Sequence, residues 1–198
     1  MREAFPGYRA GVVAASGLTN GPSVEPGQPL RCAPLDHPHL LAWREAFRAF
    51  GAKPKRHHCS AEALIRRVAG GGGLPPINRL VDLYNAVSVR WAVPVGGEDV
   101  DRVEGAVRLR HATGDEPFDG DDPPRPGEVV WADAAGVTCR RWNWRQGRRT
   151  RLELGTTCAY FLFDALAVFE ELDAAMDDLE GSLRAGWPAA QIARWVVA

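Results

Sequence analysis

From Leu80 onward, apolar residues recur with a helical period. Leu80, Val81, Tyr84, Val87, Ser88 and Trp91 fall on one side. Asn78, Asp82 and Asn85 stand at i, i+4 and i+7, so they form a polar stripe along one face. Pro75 and Pro76 preset the entry to this helix. Pro94 must end it, because a proline ring disfavours helix at the residue before it. Gly70–Gly73 separates it from what precedes.

Other stretches alternate with period two. Val103, Gly105, Val107, Leu109 and His111 alternate with Glu104, Ala106, Arg108 and Arg110, which predicts a strand over 103–111. Residues 128–132 and 137–145 read as a hairpin turning through Asp133-Ala134-Ala135-Gly136. Strands are also predicted over 8–15, with Gly11 as a point of close approach, and over 150–163. Helical spacing returns over 38–50, capped by Asp36, with Leu40, Leu41, Phe47 and Phe50 inward. It returns again over 61–69, capped by Ser60 and with Glu62 in its first turn. A long helix is predicted over 164–183, with Leu166, Phe169, Leu172, Met176, Leu179 and Leu183 inward and a strongly acidic outer face. A short helix is predicted over 187–198. Residues 16–28 are rich in the Gly, Pro, Ser and Asn of loops, and residues 114–127 in Gly, Pro and Asp. Helices and strands mix without a regular βαβ rhythm, so the fold class is α+β.

The chain has 198 residues, 45% of them hydrophobic, which fits one globular domain over 1–198. Its core is expected over about 8–183, with 187–198 as a short C-terminal extension. The net charge of −1 excludes a bulk polyanion binder, so any nucleic-acid contact must come from a local patch. No apolar stretch is long enough to span a bilayer and no export signal is evident. A cytoplasmic protein with reduced Cys32, Cys59, Cys139 and Cys158 is the expectation. Cys32, His37, His39, His57, His58 and Cys59 fit no compact zinc spacing. Gly70–Gly73 lacks the lysine of a phosphate loop. Neither a metal nor a cofactor is expected.

Three groups carry candidate chemistry. The first is Asn78, Asp82 and Asn85 with the turn at residues 94–97. Asparagine amides both donate and accept, which suits an ammonium, an ester carbonyl or a ribose hydroxyl. The alternative is that Asn78 caps the helix and Asp82 holds a neighbouring arginine. Asn85 sits mid-helix, where asparagine has poor propensity, and favours a site role. The second group is Arg140, Arg141, Trp142, Trp144, Arg145, Arg148 and Arg149, a basic segment that runs on to Arg151 without an acid. If it alternates as a strand, Arg140, Trp142 and Trp144 share a face. Guanidinium forks recognise phosphates and tryptophans stack on bases. The alternative is core tryptophans and salt-bridged arginines. The third group is Glu153 with Thr156 and Thr157; there the alternative is an edge-strand glutamate paired with Arg149 or Arg151.

The run Pro76-Ile77-Asn78-x-x-Val81-Asp82-x-x-Asn85-x-Val87, followed by Pro94, resembles the B3/B4 editing domain of the bacterial phenylalanyl-tRNA synthetase beta subunit. The resemblance continues through Asp99 and covers roughly residues 8–183, leaving no room for aminoacylation machinery. It implies a free-standing relative with a central β-sandwich-like layer flanked by helices. It implies hydrolysis of the ester of a mischarged aminoacyl-tRNA, with Tyr-tRNA for phenylalanine as the family's substrate. The implied partner is the aminoacylated 3′ end of a tRNA, with no DNA and no membrane. Asn85 matches an editing-pocket asparagine, and Glu153 is the nearest match to a strand glutamate that recognises the tyrosine hydroxyl. Gly96 stands where bacterial synthetases carry a histidine. That departure keeps a second reading open: a module of the same fold that binds tRNA or an aminoacyl group without hydrolysis.

Overall fold

The structure is a computed structural model that describes residues 5–24, 30–53, 56–120 and 122–197. Residues 25–28 of the expected first loop and residue 121 of the second lie outside the described residues.

Sheet A is built from β1 (Arg9–Ser16), β2 (Val95–Asp99), β7 (Cys158–Ala165) and β8 (Gln191–Val197). Its order is β2-β7-β1-β8, and every neighbouring pair is antiparallel. Sheet B is built from β3 (Arg108–His111), β4 (Val129–Ala132), β5 (Val137–Arg140) and β6 (Arg145–Gln146), in sequence order. The helices are α1 (Pro38–Ala49), α2 (Ser60–Ala69), α3 (Arg79–Trp91) and α4 (Leu172–Gly186). The chain is thus an α+β domain.

The period-two rule decides what each face of sheet A does. Val13 and Ala15 of β1 with Phe161, Phe163 and Ala165 of β7 pack into the main core. Leu80, Val87, Leu172, Met176 and Leu179 from α3 and α4 complete it. At Gly11 an added Cβ would meet Met176 Sδ at 2.7 Å and Leu172 Cδ1 at 2.9 Å, so the strand needs glycine to approach α4. The opposite face presents Tyr160, Leu162 and Asp164 towards the cavities below.

A second core gathers α1 and α2 around Trp142. His39 of α1 is fully buried at its seam. Its Nδ1 lies 2.9 Å from the Ala92 carbonyl, so that nitrogen carries the proton. Its Nε2 then accepts from Trp43 Nε1 at 3.0 Å and from the Leu166 N–H at 3.1 Å. Burial pushes its pKa down to about 3, so the ring stays neutral. One imidazole thereby ties α1 to the end of α3 and to the chain leaving β7.

Several elements differ from expectation for identifiable reasons. The helix expected over 187–198 is not formed by residues 187–197; β8 pairs along β1 from Ala10↔Val197 to Ser16↔Gln191. The apolar residues expected to dock a helix instead complete a sheet edge, and Ile192 reaches the main core. The long helix begins at Leu172 rather than residue 164, because residues 158–165 are held in sheet A by β1 and β2. The hairpin does not continue to residue 145. Arg141 (φ 45°) and Trp142 (φ 66°) adopt left-handed backbone, and the chain reverses so that Arg140 pairs with Arg145. The strand expected over 103–111 keeps only Arg108–His111. The cap of α1 is His37, not Asp36; the cap of α2 is Cys59, not Ser60. Leu41 is exposed rather than buried.

Replacing His39 by alanine strands an indole N–H, a backbone N–H and a carbonyl in the core. Unsatisfied buried groups cost about 1–3 kcal/mol each. His39→Ala should lower Tm by about 2–4 °C for each kcal/mol of stability removed, as read by thermal unfolding. A Tm within a degree or so of wild type would show that the triple contact contributes nothing.

Candidate functional site

A cavity of about 310 Å³ lies between α2, α3, sheet B and the β2 side of sheet A. Its apolar wall is Leu64, Val81, Tyr84, Val95, Trp131 and Leu162. Its polar groups are Asn85, Glu98, Asn143, Gln146, Tyr160 and Asp164.

Asn85 is buried in this wall. Its amide makes no hydrogen bond among the described residues, unlike the other two residues of the polar stripe. Asn78 Oδ1 accepts from the Val81 N–H at 3.0 Å, and its amide donates to the Leu152 carbonyl at 3.1 Å. It is the cap of α3. Asp82 accepts from the Ile77 N–H at 3.0 Å, holding the incoming loop rather than an arginine. Neither lines the cavity. The stripe divides because its first turn serves to cap the helix, and only Asn85 reaches the space beyond.

Gly96 lies in the cavity wall opposite Leu162 of β7. An added Cβ there would meet nothing within 4 Å, so the missing side chain opens the floor of the site. On the same face of β2, two residues further on, Glu98 stands opposite Tyr160. Glu98 is 6% exposed, and its Oε2 has no hydrogen-bond partner among the described residues. Burial pushes its pKa up to about 8, with the Thr150 and Gln146 side chains only partly opposing. At neutral pH it is a carboxylic acid, able to donate as well as accept. Sequence reasoning passed over Glu98. The signal available was a charged residue directly after two glycines of a short strand and before the cap-forming Asp99.

Asp164 closes the other end of the face. It accepts from Tyr8 Oη, from Trp142 Nε1 at 3.1 Å and from Asn143 Nδ2 at 3.1 Å. Burial raises its pKa to about 6 against those hydrogen bonds. Further polar atoms of the lining are buried without partners among the described residues: Ser60 Oγ, Trp131 Nε1, Thr138 Oγ1 and Asn143 Oδ1. A buried polar atom left without a bond is costly, so this concentration marks a space suited to a polar guest or ordered water. Cys139 is also in the lining, but burial holds its thiol well above the usual range, so it is no thiolate nucleophile.

Glu153 and Thr156 are not part of this cavity. Glu153 is half-exposed and pairs with Arg102 at 2.7 Å and Arg151 at 3.4 Å. Thr156 is buried; it donates to Asp99 Oδ2 at 2.7 Å and accepts from the Glu153 N–H at 3.0 Å. Both brace the loop between β6 and β7. Of the two readings of Glu153, these contacts favour the arginine-paired one.

The arginine-rich segment is largely committed to the protein itself. Arg140 is buried and grips Glu128 with two parallel bonds, 2.8 and 2.9 Å. Trp142 is 0% exposed and sits in the core, not on an RNA-facing strand. Arg149 makes two bonds to Asp133, 2.9 and 2.6 Å. Arg145 pairs with Asp122 at 3.0 Å. Arg141 stacks on Trp144, with its Cζ 4.3 Å from the ring centroid. Arg148 is exposed and its side chain has no partner among the described residues. The left-handed turn at Arg141 and Trp142 is why face-sharing by alternation failed. Among the described residues no group of three or more His, Cys, Asp or Glu side chains is placed to hold a metal ion. No described helix is long and apolar enough to cross a membrane.

The family model for the B3/4 domain matches residues 42–171, which include α2, α3, all of sheet B and the β2 and β7 strands of sheet A. The chain belongs to the B3/4 domain family. It is also similar to the phenylalanine–tRNA ligase beta subunit of Mycoplasma genitalium, with 37% identity over 68 residues. That match covers 32% of this chain and 8% of the relative. The stretch this B3/4 domain shares with it is thus a small part of a much longer protein.

The raised pKa of Glu98 makes a testable demand on stability. The folded protein holds its proton to about pH 8, against 4.5 for an ordinary glutamate. The contribution is complete below about pH 4.5 and disappears as pH rises through about 8. Over that window the Tm of wild type should fall relative to Glu98→Gln, at about 2–4 °C per kcal/mol. Parallel Tm–pH profiles for the two proteins would show that Glu98 titrates normally.

Proposed function

We propose that this B3/4 domain binds the aminoacylated 3′ end of a tRNA and hydrolyses the ester of a wrongly attached amino acid. It acts in the cytoplasm, on RNA rather than DNA. The observation that carries this reading is Asn85: a buried amide, free of partners among the described residues, in the wall of a cavity inside the matched region. An amide so placed can donate to an ester carbonyl and accept from an ammonium at once. Similarity to a phenylalanine–tRNA ligase beta subunit supports a tRNA-linked substrate. Water is the nucleophile in this reading, and burial, which raises the Cys139 pKa, speaks against that thiol in its place. The apolar wall takes the amino-acid body, and Glu98 and Asn85 hold polar groups of the substrate. Tyr-tRNA for phenylalanine is the first substrate to test.

One observation favours a second reading. Among the described residues no histidine lines the cavity, and Gly96 contributes open space where the resembling synthetases carry one. A domain that binds the acylated end without turnover is consistent with that floor.

A panel of mischarged tRNAs decides between them. Wild type should release the amino acid from at least one, Tyr-tRNA for phenylalanine included. Asn85→Ala should lower that rate at least tenfold while leaving Tm unchanged or slightly raised, alanine being the better helix former. Full activity with a large drop in Tm would make Asn85 a structural residue. If no tRNA is hydrolysed yet a non-hydrolysable aminoacyl-adenosine binds through Asn85, the second reading holds.

A further inference from the structure

On the far side of the Arg141 turn from the cavity lies a second concavity, of about 510 Å³. Its charged and titratable lining is Lys53, Arg56, His57, Arg125, Arg141 and Glu128. The single acid is already committed, gripped by two parallel bonds from Arg140. Lys53, Arg56 and Arg125 are exposed, and their side chains make no ion pair among the described residues. The space therefore carries a strong excess of positive charge in a chain whose net charge is −1. Glu128 also faces the Arg141 guanidinium, with Arg141 Nε 3.7 Å from its Oε2, which leaves Lys53, Arg56 and Arg125 without an acid among the described residues.

Two further atoms point to a guest. Arg141 Nη1 and His57 Nδ1 are both buried without a hydrogen-bond partner among the described residues. A guanidinium N–H removed from water with nothing to donate to is costly, and here the backbone is also strained to place it, since Arg141 adopts φ 45°. Trp144 fixes both side chains: the Arg141 guanidinium lies over its ring, and the His57 ring meets it edge-on with centroids 4.8 Å apart. Trp144 itself lines the first cavity. The two concavities are therefore held by the same short turn, residues 141–144.

We propose that Arg141, His57, Arg125, Arg56 and Lys53 form a phosphate-binding site. Planar guanidinium forks and an imidazole that gains a proton are the donors that a tetrahedral oxyanion needs. Resting on the aminoacyl reading of the first cavity, the phosphate is one of the backbone phosphates close to the acylated end of the RNA. Its place beside Trp144 would let one strand enter both concavities. Arg140, Arg145 and Arg149, the more obvious basic residues, are engaged by Glu128, Asp122 and Asp133 and take no part.

The site is tested with inorganic phosphate and with the trinucleotide CCA, following the His57 ring by NMR and affinity by titration calorimetry. In the free protein, burial and then the Arg141 charge hold the His57 pKa below its usual value, with Arg56 adding to the depression and the Lys53 carbonyl and Glu128 opposing. A bound phosphate should raise it. Arg56→Ala/Arg125→Ala changes only exposed side chains and should weaken both ligands at least tenfold. It should also flatten the salt dependence of CCA binding by about 0.7 in log–log slope for each phosphate no longer neutralised. Arg184→Ala on α4 should do neither. If neither probe moves His57, or if the double variant binds both as wild type does, the site does not exist. If phosphate binds through these residues but CCA does not, the anion site stands and the RNA assignment falls. If CCA binding depends on them but no tRNA is deacylated, the site stands and the hydrolytic reading of the first cavity fails.

Discussion

The carboxylate of Asp164 holds the two halves of the molecule together. It belongs to β7 in the middle of sheet A, yet its partners are Tyr8, at the entry to β1, and Trp142 and Asn143, in the turn of sheet B. A carboxylate buried this deeply is tolerable only because three donors face it. Those donors in turn dictate geometry. To bring an indole N–H to Asp164, the chain after β5 must turn at once, and two non-glycine residues accept left-handed backbone to do it. The turn is braced from behind by Arg140 and Glu128, so a buried ion pair and a core tryptophan offset its strain.

Everything chemically distinctive lies around that turn. One side of it walls the cavity with Trp142, Asn143 and Trp144; the other aims Arg141 at the basic concavity. The cavity's opposite wall comes from β2, through Val95, Gly96 and Glu98. A glycine and a buried acid in alternate positions give open space next to an unpartnered oxygen. Such an arrangement weakens the sheet locally, since it forgoes packing and buries a polar atom. Departures of this kind from a consistent core gather where a protein binds something.

The sequence-level reading went astray where local rules were overruled by distant contacts. The 187–198 segment carries apolar residues at spacings that suit a helix, but the unpaired edge of β1 offers a run of hydrogen bonding from Ala10 to Ser16, and strand wins. The arginine–tryptophan alternation looked like a continuing strand because nothing local announces a turn built from Arg141 and Trp142 without glycine. Glu153 could be read as the reader of a ligand or as the partner of an arginine, and the structure shows it paired with Arg102 and Arg151. Glu98, in β2, holds the buried position instead.

What the amino-acid order determined by itself was the part governed by neighbours in the chain. The α3 helix and the family follow from residues 76–94 and their surroundings, and the α+β class from the mix of periods along the chain. Over residues 76–94, periodicity and capping act within a few residues. Whether Asn78 caps the helix or meets a ligand stayed open until the structure showed the cap. Asn85 also stood out, because an amide in mid-helix conflicts with helix propensity unless something compensates. Only the tertiary structure decided which polar groups share a space. Glu98, Asn85 and Asn143 come from three different elements, and the cavity that joins them exists because Asp164 pulls one sheet's turn onto the other. Burial, and with it the protonation of Glu98 and the isolation of Arg141 Nη1, is a property of that assembly and of no segment alone.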